Sequence, residues 1–509
     1  MYSLKSLKSQ PSIVYLVAAF FSILLSIWIS SQETVINPDA ICYLQSAATM
    51  KSGIHAAMNI CGQAKWPFYS LLIAGVVSIT KLSYVTAAYM LDGIFSLLTV
   101  LAFIGIVAFI AQKQQALTKH ILWLAALIIL LAHEFNAVKT YIIRDHGFWA
   151  FYLGSLFFLL YYFHTRQWRY AFAWSVSAIV ATLFRIEGAI FLLIIPFIAW
   201  FEVKQSFAIR LKTFLQLNAM TIIVGIMVGG WFLLYPSHSS GRLSELQFQL
   251  LHGVMLLKQN FQLKAAGLAI TVLGNNGARD ATTVLTITFV VWYLFNVIAN
   301  LSLICSGLLI YSWWKKLLIT DQTTRLVLWS YVLINVMVTA VFLGQNMFLS
   351  KRYLLALSLV LMLWVPFALS NLMQQWQQRK WPFVLALLFI AISSLGGIFD
   401  FGYSKQYMRD AGRWLAVNVP EEATVYSNDL QVMYYSQRFG NQIFAQAEAF
   451  FKPEAIAHDQ WKKYDYLALR VDQKELSAAT GILHEIALTP IQVFHNKRGD
   501  QVRIYRRSS

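Results

Sequence analysis

Long apolar runs recur along the first 400 residues of the chain, and they limit the folds that are open to it. About 20 apolar residues in an α-helix span the roughly 30 Å hydrocarbon core of a bilayer. Within lipid, a helix satisfies its backbone hydrogen bonds internally. Only 12% of the residues are charged and 58% are hydrophobic, whereas soluble domains carry about 25% charged residues. The sequence therefore excludes a soluble globule and predicts a polytopic α-helical membrane protein.

We predict about 11 spans plus one half-buried helix. The clear runs are 13–30, 84–111, 146–163, 170–184, 188–201, 213–235, 282–312, 324–345, 353–371 and 381–398. Two shorter runs, 67–80 and 120–133, are ambiguous because each reaches about 21 Å as a helix, less than the hydrocarbon core. We predict that 120–133 spans and that 67–80 is the half-buried helix, which begins at Pro67.

Basic residues predict the orientation of the spans, because cytoplasmic loops carry an excess of Lys and Arg. With the N-terminus in the cytoplasm, the cytoplasmic loops collect fourteen basic residues and the short outer loops collect five. The outer five are Lys139, Arg144, Arg185, Lys351 and Arg352. This distribution predicts a multi-pass inner-membrane protein whose site faces the periplasm or exterior.

The same orientation places the segments 31–66, 236–281 and 400–509 outside. We predict a transmembrane catalytic domain over residues 1–399 and a soluble C-terminal domain over residues 400–509. Strand-like runs at 423–426, 464–471, 491–495 and 501–505 predict that the second domain is a small α/β fold. The net charge of +17 forms no continuous basic stripe, so we predict membrane lipids rather than nucleic acid as partners.

The segment that follows the first span carries an acidic helix start. Asn37 is typical of a helix cap and Pro38 of a first turn, with Asp39 beside the exposed amides. Apolar residues at positions 41, 44 and 48 favour a helix in the membrane interface, which would hold the carboxylate above the acyl region. The alternative is that Asp39 only complements the helix dipole.

Cys42 and Cys61 fall in the same predicted outer loop. A disulfide between them would pin the Asp39 helix if the compartment is oxidising. Two unpaired small residues are the alternative.

Charged residues stand at three further points at the ends of predicted spans: Arg144 and Asp145, Arg185 and Glu187, and Lys351 and Arg352. Ionisable groups this close to lipid are usually paired or functional. A structural role is the alternative for each: an interfacial cap at the first point, mutual neutralisation at the second, and contact with anionic headgroups at the third.

A metal site has weaker support. His238 and His252 lie fourteen residues apart without a tight ligand motif, so the spacing does not indicate zinc. No cofactor is predicted with certainty, and a divalent cation stays open because carboxylates near a phosphate hold Mg²⁺ or Mn²⁺.

The order of elements carries a resemblance. A span, an outer loop with the Asp39-x-x-x-Tyr43 helix and the sequence Trp66-Pro67-Phe68-Tyr69-Ser70-Leu71-Leu72 follow one another. This opening resembles membrane glycosyltransferases of the C-type fold, among them protein O-mannosyltransferases and the aminoarabinose transferases that modify lipid A. The resemblance implies the C-type glycosyltransferase fold, a polyprenyl-phosphate sugar donor and transfer on the outer face.

The resemblance also implies roles for particular residues. The catalytic acid in the first outer loop of such enzymes matches Asp39. Many of these enzymes have another acid directly after it, where this chain has Ala40. A further acid, in the second outer loop, matches Asp145. An arginine that faces the lipid phosphate matches Arg352. We place Tyr43, Arg144, Arg185, Glu187 and Lys351 beside them as predicted substrate-binding residues.

The expected reaction is therefore an inverting sugar transfer to a lipid, glycan or protein acceptor, with Asp39 as the base and arginines that stabilise the leaving phosphate. Two other functions stay open. One is a lipid-linked sugar flippase or transporter, although no inverted repeat supports it. The other is a polyprenyl-linked glycan ligase or polymerase, which would also use charges on the outer face.

Overall fold

The computed structural model describes residues 11–114, 119–203, 205–234, 241–318, 320–375, 379–438, 464–476 and 489–507. Its helices are α1 (Pro11–Gln32), α2 (Pro38–Thr49), α3 (Ile54–Met58), α4 (Phe68–Thr80), α5 (Tyr84–Lys113), α6 (Lys119–Leu130), α7 (His133–Ala137), α8 (Asp145–Thr165), α9 (Trp168–Phe184), α10 (Gly188–Ile194), α11 (Phe207–Leu234), α12 (Gly241–Leu268), α13 (Gly274–Gly277), α14 (Ala281–Leu301), α15 (Leu303–Trp314), α16 (Gln322–Asn346), α17 (Lys351–Leu361), α18 (Val365–Gln374), α19 (Trp381–Ile398), α20 (Gln406–Asn418) and α21 (Leu430–Tyr435). The strands are β1 (Val425–Ser427), β2 (Tyr466–Val471), β3 (Pro490–His495) and β4 (Gln501–Arg506).

The chain divides into two compact units. Unit 1 comprises residues up to Ile29, Leu91–Lys139 and Arg144–Phe399, and unit 2 comprises Ser30–Met90, Thr140–Ile143 and Asp400–Ser509. The loop that carries the predicted catalytic acid thus belongs to the same unit as the C-terminal strands.

Unit 1 carries most of the helices that are suited to lipid. Among the described residues of the whole chain, seven helices are long and apolar enough to cross a membrane, or eight if the pair of helices that bends by 52° between Leu130 and His133 is one span. Helix α1 exposes large apolar side chains such as Leu16 and Phe20, which a soluble protein would cover. The chain is a membrane protein, and the count of about 11 spans stays a prediction.

One predicted span is wrong in detail. The run 282–312 is interrupted at Ser302, where φ is 71° and the chain leaves α14 to begin α15. The Ser302 hydroxyl accepts a hydrogen bond from the Cys305 amide and so caps the new helix. No glycine or proline marks the break, so apolar length alone could not reveal it. By contrast, the predicted helix after Pro67 is confirmed as α4, with Pro67 as its N-cap.

The predicted outer segment 236–281 is helical over most of its described residues. It contains the 28-residue helix α12 and a π-helical turn, Ala269–Leu273. No helix was predicted for this segment, because its apolar residues do not reach the density of a span.

Unit 2 contains a four-stranded sheet with the order β1-β2-β4-β3. Strand β1 is parallel to β2, whereas β2–β4 and β3–β4 are antiparallel. Helix α20 and the strands share a buried core with Val35 from the loop after α1. The predicted small α/β fold of the C-terminal segment is therefore confirmed.

Close packing of α8 on α9 depends on a glycine. A Cβ at Gly147 would overlap the ring of Phe184, which is fully buried. Gly147 lies two residues after Asp145, and Phe184 lies one residue before Arg185. Because glycine has no side chain, the start of α8 can pack closely against the end of α9. Asp145 and Arg185, two predicted site residues, lie at these two helix ends.

We expect Gly147→Ala to lower the free energy of unfolding by about 1–3 kcal/mol, because an added methyl group in a packed core displaces its neighbours. The matched control is Gly154→Ala on the same helix, where a Cβ would lie 3.8 Å from the Ser177 hydroxyl, an ordinary contact. Thermal unfolding of the purified protein in detergent measures both variants. Equal midpoints for the two would contradict the packing argument.

Candidate functional site

Asp145 and Arg185 meet in unit 1 at the ends of α8 and α9. Asp145 is the first residue of α8, and Arg185 follows the last residue of α9. The Nη1 group of Arg185 donates to Asp145 Oδ1 in a salt bridge, and the two residues are only 8% and 4% exposed. A bidentate guanidinium is the cation best suited to such a buried pair.

Glu187 completes the pairing of Arg185. The Nη2 group of Arg185 donates to Glu187 Oε1 at 2.7 Å, and Nε donates to Oε2 at 3.4 Å. Burial acts to raise the pKa of Glu187, but Arg185 and then Arg144 outweigh it and lower the pKa to about 2. Glu187 is therefore ionised at neutral pH, and the mutual neutralisation considered from the sequence is present.

Tyr353 links this pair to the cation predicted to face a phosphate. The guanidinium carbon of Arg185 lies 4.6 Å from the centroid of the Tyr353 ring, and that of Arg352 lies 5.2 Å from it. Arg352 is half-buried and also donates through Nη2 to the Tyr353 hydroxyl at 3.4 Å. Cation–π contacts of this kind hold guanidinium groups in a fixed place.

We call these six residues the charged cluster: Arg144, Asp145, Arg185, Glu187, Arg352 and Tyr353. Its formal charge is +1, since three arginines face two carboxylates. All of these residues except Tyr353 were predicted from the sequence, and the position of Tyr353 beside Arg352 was the available signal.

Lys351 has a different environment from its neighbour Arg352. Its ammonium forms a salt bridge with Glu134, whose side chain is buried, and Glu134 Oε1 lies 3.5 Å from His133 Nε2. These three residues line a pocket of about 390 Å³ together with apolar residues of α14 and α15. Glu134 and His133 were not among the predicted site residues, because both stand at the edge of an ambiguous apolar run.

In unit 2, Asp39 lies in the first turn of α2, as predicted, and is half-buried. The Gln63 amide donates to Asp39 Oδ1 at 2.7 Å. Cys42 and Cys61 form a disulfide with a Cα–Cα distance of 6.0 Å, which ties α2 to the segment that carries Gln63. Of the two alternatives left open by the sequence, the structure has the bridge.

Asn37 and Tyr43 have contacts that the sequence did not predict. Asn37 occupies the N-cap position of α2, but its side chain does not cap the helix. Its amide instead bonds the backbone of Ile142, with Oδ1 as acceptor at 2.9 Å and Nδ2 as donor at 3.3 Å. Tyr43 is only 3% exposed and packs edge-to-face on Tyr69 at 5.2 Å, so its substrate contact stays a prediction.

A metal has little to bind in the part of the chain that the structure describes. That part contains no group of three or more His, Cys, Asp or Glu side chains placed to hold an ion. His238, one of the two histidines considered above, lies outside the described residues. The Asp145 carboxylate already faces Arg185, so the charged cluster does not fit a divalent cation.

No protein-family model matches the chain, and no curated protein matches it in sequence. Solved structures do match its fold. One match is ArnT from Cupriavidus metallidurans bound to undecaprenyl phosphate. Its TM-score is 0.52 at 10% sequence identity, and the match covers 97% of this chain and 97% of that one. The oligosaccharyltransferase of Archaeoglobus fulgidus in complex with Zn and sulfate has a TM-score of 0.50 with 17% identity.

The match to the oligosaccharyltransferase covers 84% of this chain but 57% of that one, so the chain spans little more than half of its length. The ArnT match extends over both proteins almost completely. At these identities the likeness concerns the fold. The chain thus has the C-type glycosyltransferase fold that its N-terminal sequence resembles, in a membrane protein with a small C-terminal strand domain.

Proposed function

We propose that the protein is an integral membrane glycosyltransferase that moves a sugar from a polyprenyl-phosphate donor to a lipid, glycan or protein acceptor. The observation that carries this proposal is the charged cluster of unit 1, where arginines exceed carboxylates and Arg352 is partly open to solvent. The similarity of fold to ArnT, which was solved with undecaprenyl phosphate, gives additional support. This support is weaker, because one fold can host many activities.

In the proposed reaction the acceptor hydroxyl or amine attacks C1 of the sugar and inverts its configuration. Asp39 takes the proton from the acceptor, and the electron pair of the C1–O bond leaves with the polyprenyl phosphate. The leaving group gains negative charge, which fixed cations stabilise in the transition state. No strong general acid is needed, because a phosphate monoester is a good leaving group.

The contacts of the cluster suggest different tasks for its members. Asp145 and Glu187 engage Arg185 from two directions, so we propose that both carboxylates position this arginine. Arg352 is half-buried and rests on Tyr353, and we propose it as the principal phosphate ligand. A planar guanidinium matches the oxygens of a phosphate in a bidentate manner.

We propose that the site faces the periplasm or exterior. The Cys42–Cys61 disulfide supports this orientation, because structural disulfides persist in oxidising compartments. It agrees with the distribution of basic residues between the loops.

We expect a membrane-impermeant maleimide to label Cys42 and Cys61 in intact cells after treatment with an impermeant reductant, and not before it. The matched control is Cys305→Ala, which removes a buried cysteine outside the bridge and should leave the labelling unchanged. Mass spectrometry of the tryptic peptides identifies the labelled residues. Labelling that requires permeabilised cells would reverse the proposed orientation.

We expect Asp39→Asn to reduce sugar transfer by roughly 10²–10⁴-fold, because the amide cannot accept the acceptor's proton. Transfer of radiolabelled sugar from synthetic polyprenyl-phosphate donors to membrane extract measures it at matched expression. Asp472→Asn is the control, a half-exposed carboxylate on the strand domain.

The donor panel also includes a polyprenyl pyrophosphate oligosaccharide. Transfer from that donor alone would favour the ligase, and no transfer from any donor would count against a transferase. Undiminished transfer by Asp39→Asn would remove Asp39 as the base.

We expect Arg352→Ala to raise the donor KM by about ten- to a hundredfold, since a charge-assisted hydrogen bond contributes roughly 1.5–3 kcal/mol. Arg169→Ala is a matched control, because Arg169 also stacks on the tyrosine that follows it, at 4.8 Å, and donates to its hydroxyl. Steady-state kinetics with varied donor separate the two. An unchanged donor KM in Arg352→Ala would exclude it as a phosphate ligand.

A further inference from the structure

Unit 2 contains a pocket of about 470 Å³ that the proposed reaction does not use. It is lined by Leu44, Gln45, Ala48, Thr49, Ile60, Tyr84 and Tyr434. Its walls come from α2, the segment before Cys61, the start of α5 and the C-terminal helix α21. This volume lies within the range of pockets that bind small molecules, roughly 300–1,000 Å³.

The pocket is separate from the predicted base on the same helix. Asp39 and Ala48 are nine residues apart in α2, which turns the side-chain direction by about 180°. Leu44 and Gln45 lie on the same side as Ala48, and the pocket therefore occupies the face of α2 that points away from Asp39.

The pocket is built from fixed parts. The disulfide at Cys61 holds the neighbouring Ile60 beside α2. Helix α21 is held to the segment before α2, because Gln431 donates to the Ile36 carbonyl at 2.7 Å and Tyr435 accepts from the Ile36 amide at 3.1 Å. Tyr434 therefore has a defined position over the pocket before any ligand arrives.

The chemistry of the lining is uncharged. Among the described residues that line it, two are tyrosines, two carry an amide or a hydroxyl, and the others are aliphatic. The Gln45 Nε2 group is buried and has no hydrogen-bond partner among the described residues. A buried N–H group without an acceptor costs free energy, so it favours a ligand that supplies one.

We propose that this pocket binds a neutral saccharide. A pyranose offers apolar C–H faces to the rings of Tyr84 and Tyr434. Its hydroxyl groups can accept from Gln45 and donate to the Thr49 hydroxyl oxygen, whose own hydrogen is donated to the Gln45 carbonyl at 2.8 Å. The described lining residues include no cation, which disfavours a phosphate or carboxylate ligand. The ligand is therefore chemically different from the phosphate headgroup of the donor. We assign the saccharide to a sugar unit of the acceptor that does not carry the attacking atom, because the pocket lies on the face of α2 that points away from Asp39. This assignment rests on the proposed function.

The binding test uses the full chain in nanodiscs without any donor. The probes are the methyl glycosides of glucose, galactose, mannose and N-acetylglucosamine, with methyl glucuronide as the charged comparison. Saturation-transfer NMR should show transfer to the ring protons of at least one neutral glycoside, with a Kd near the millimolar range. The glucuronide should receive less.

Variants of the lining sharpen the test. Gln45→Leu and Tyr434→Ala should each weaken binding by about tenfold, while Tyr434→Phe, which keeps the ring, should stay within about twofold of the wild type. Tyr403→Ala is the control, since Tyr403 is 59% exposed and does not line the pocket. Thermal unfolding in parallel shows whether a weakened variant has kept its fold.

Two outcomes would overturn the pocket as a saccharide site: no transfer to any neutral glycoside, or transfer that Gln45→Leu and Tyr434→Ala leave unchanged. The binding test is independent of the transfer reaction. Asp39→Asn should bind glycoside normally, so glycoside binding without any transferase activity would retain the site and reject the proposed function. In an active enzyme, Gln45→Leu should raise the acceptor KM and leave the donor KM unaltered, and the reverse pattern would reject the assignment to the acceptor.

Discussion

The buried guanidinium of Arg185 is the contact on which the arrangement of unit 1 depends. It binds Asp145 at the start of α8 and Glu187 just before α10, and it stacks on Tyr353 of α17. Removing one partner from such a buried network would leave a charge uncompensated, at a cost of about 3–5 kcal/mol. The starts of α8, α10 and α17 are therefore held together by charged contacts with Arg185. Lipid acyl chains could not substitute for these contacts, because they carry no charge.

The cations in and beside this network have different partners. Arg185 is paired with two carboxylates and Lys351 with Glu134, and the contacts of Arg352 include the aromatic ring and hydroxyl of Tyr353. Arg185 holds both of these carboxylates, so its substitution would disturb the buried ion pairs themselves.

In unit 2, the short helix α2 is likewise held by contacts with distant segments of the chain. The disulfide, the packing of Tyr43 on Tyr69 and the contact of Asn37 with Ile142 hold the helix from three directions. A rigid helix can serve two faces at once, with the Asp39 carboxylate on one and the uncharged pocket on the other. An interfacial helix held by lipid alone could not fix either face so firmly.

The sequence by itself determined the membrane class, the helix starts at Pro38 and after Pro67, the strands of the C-terminal domain and most members of the charged cluster. Apolar length, turn residues and period-two patterns are local signals, and each can be read within a few residues. Only the tertiary structure decided the break at Ser302, the partners of the charges and the saccharide-sized pocket. Lys351 pairs with Glu134 across 217 positions, and Asn37 bonds Ile142 across 105. No local pattern encodes such pairs, because their free energy arises only when distant segments pack together.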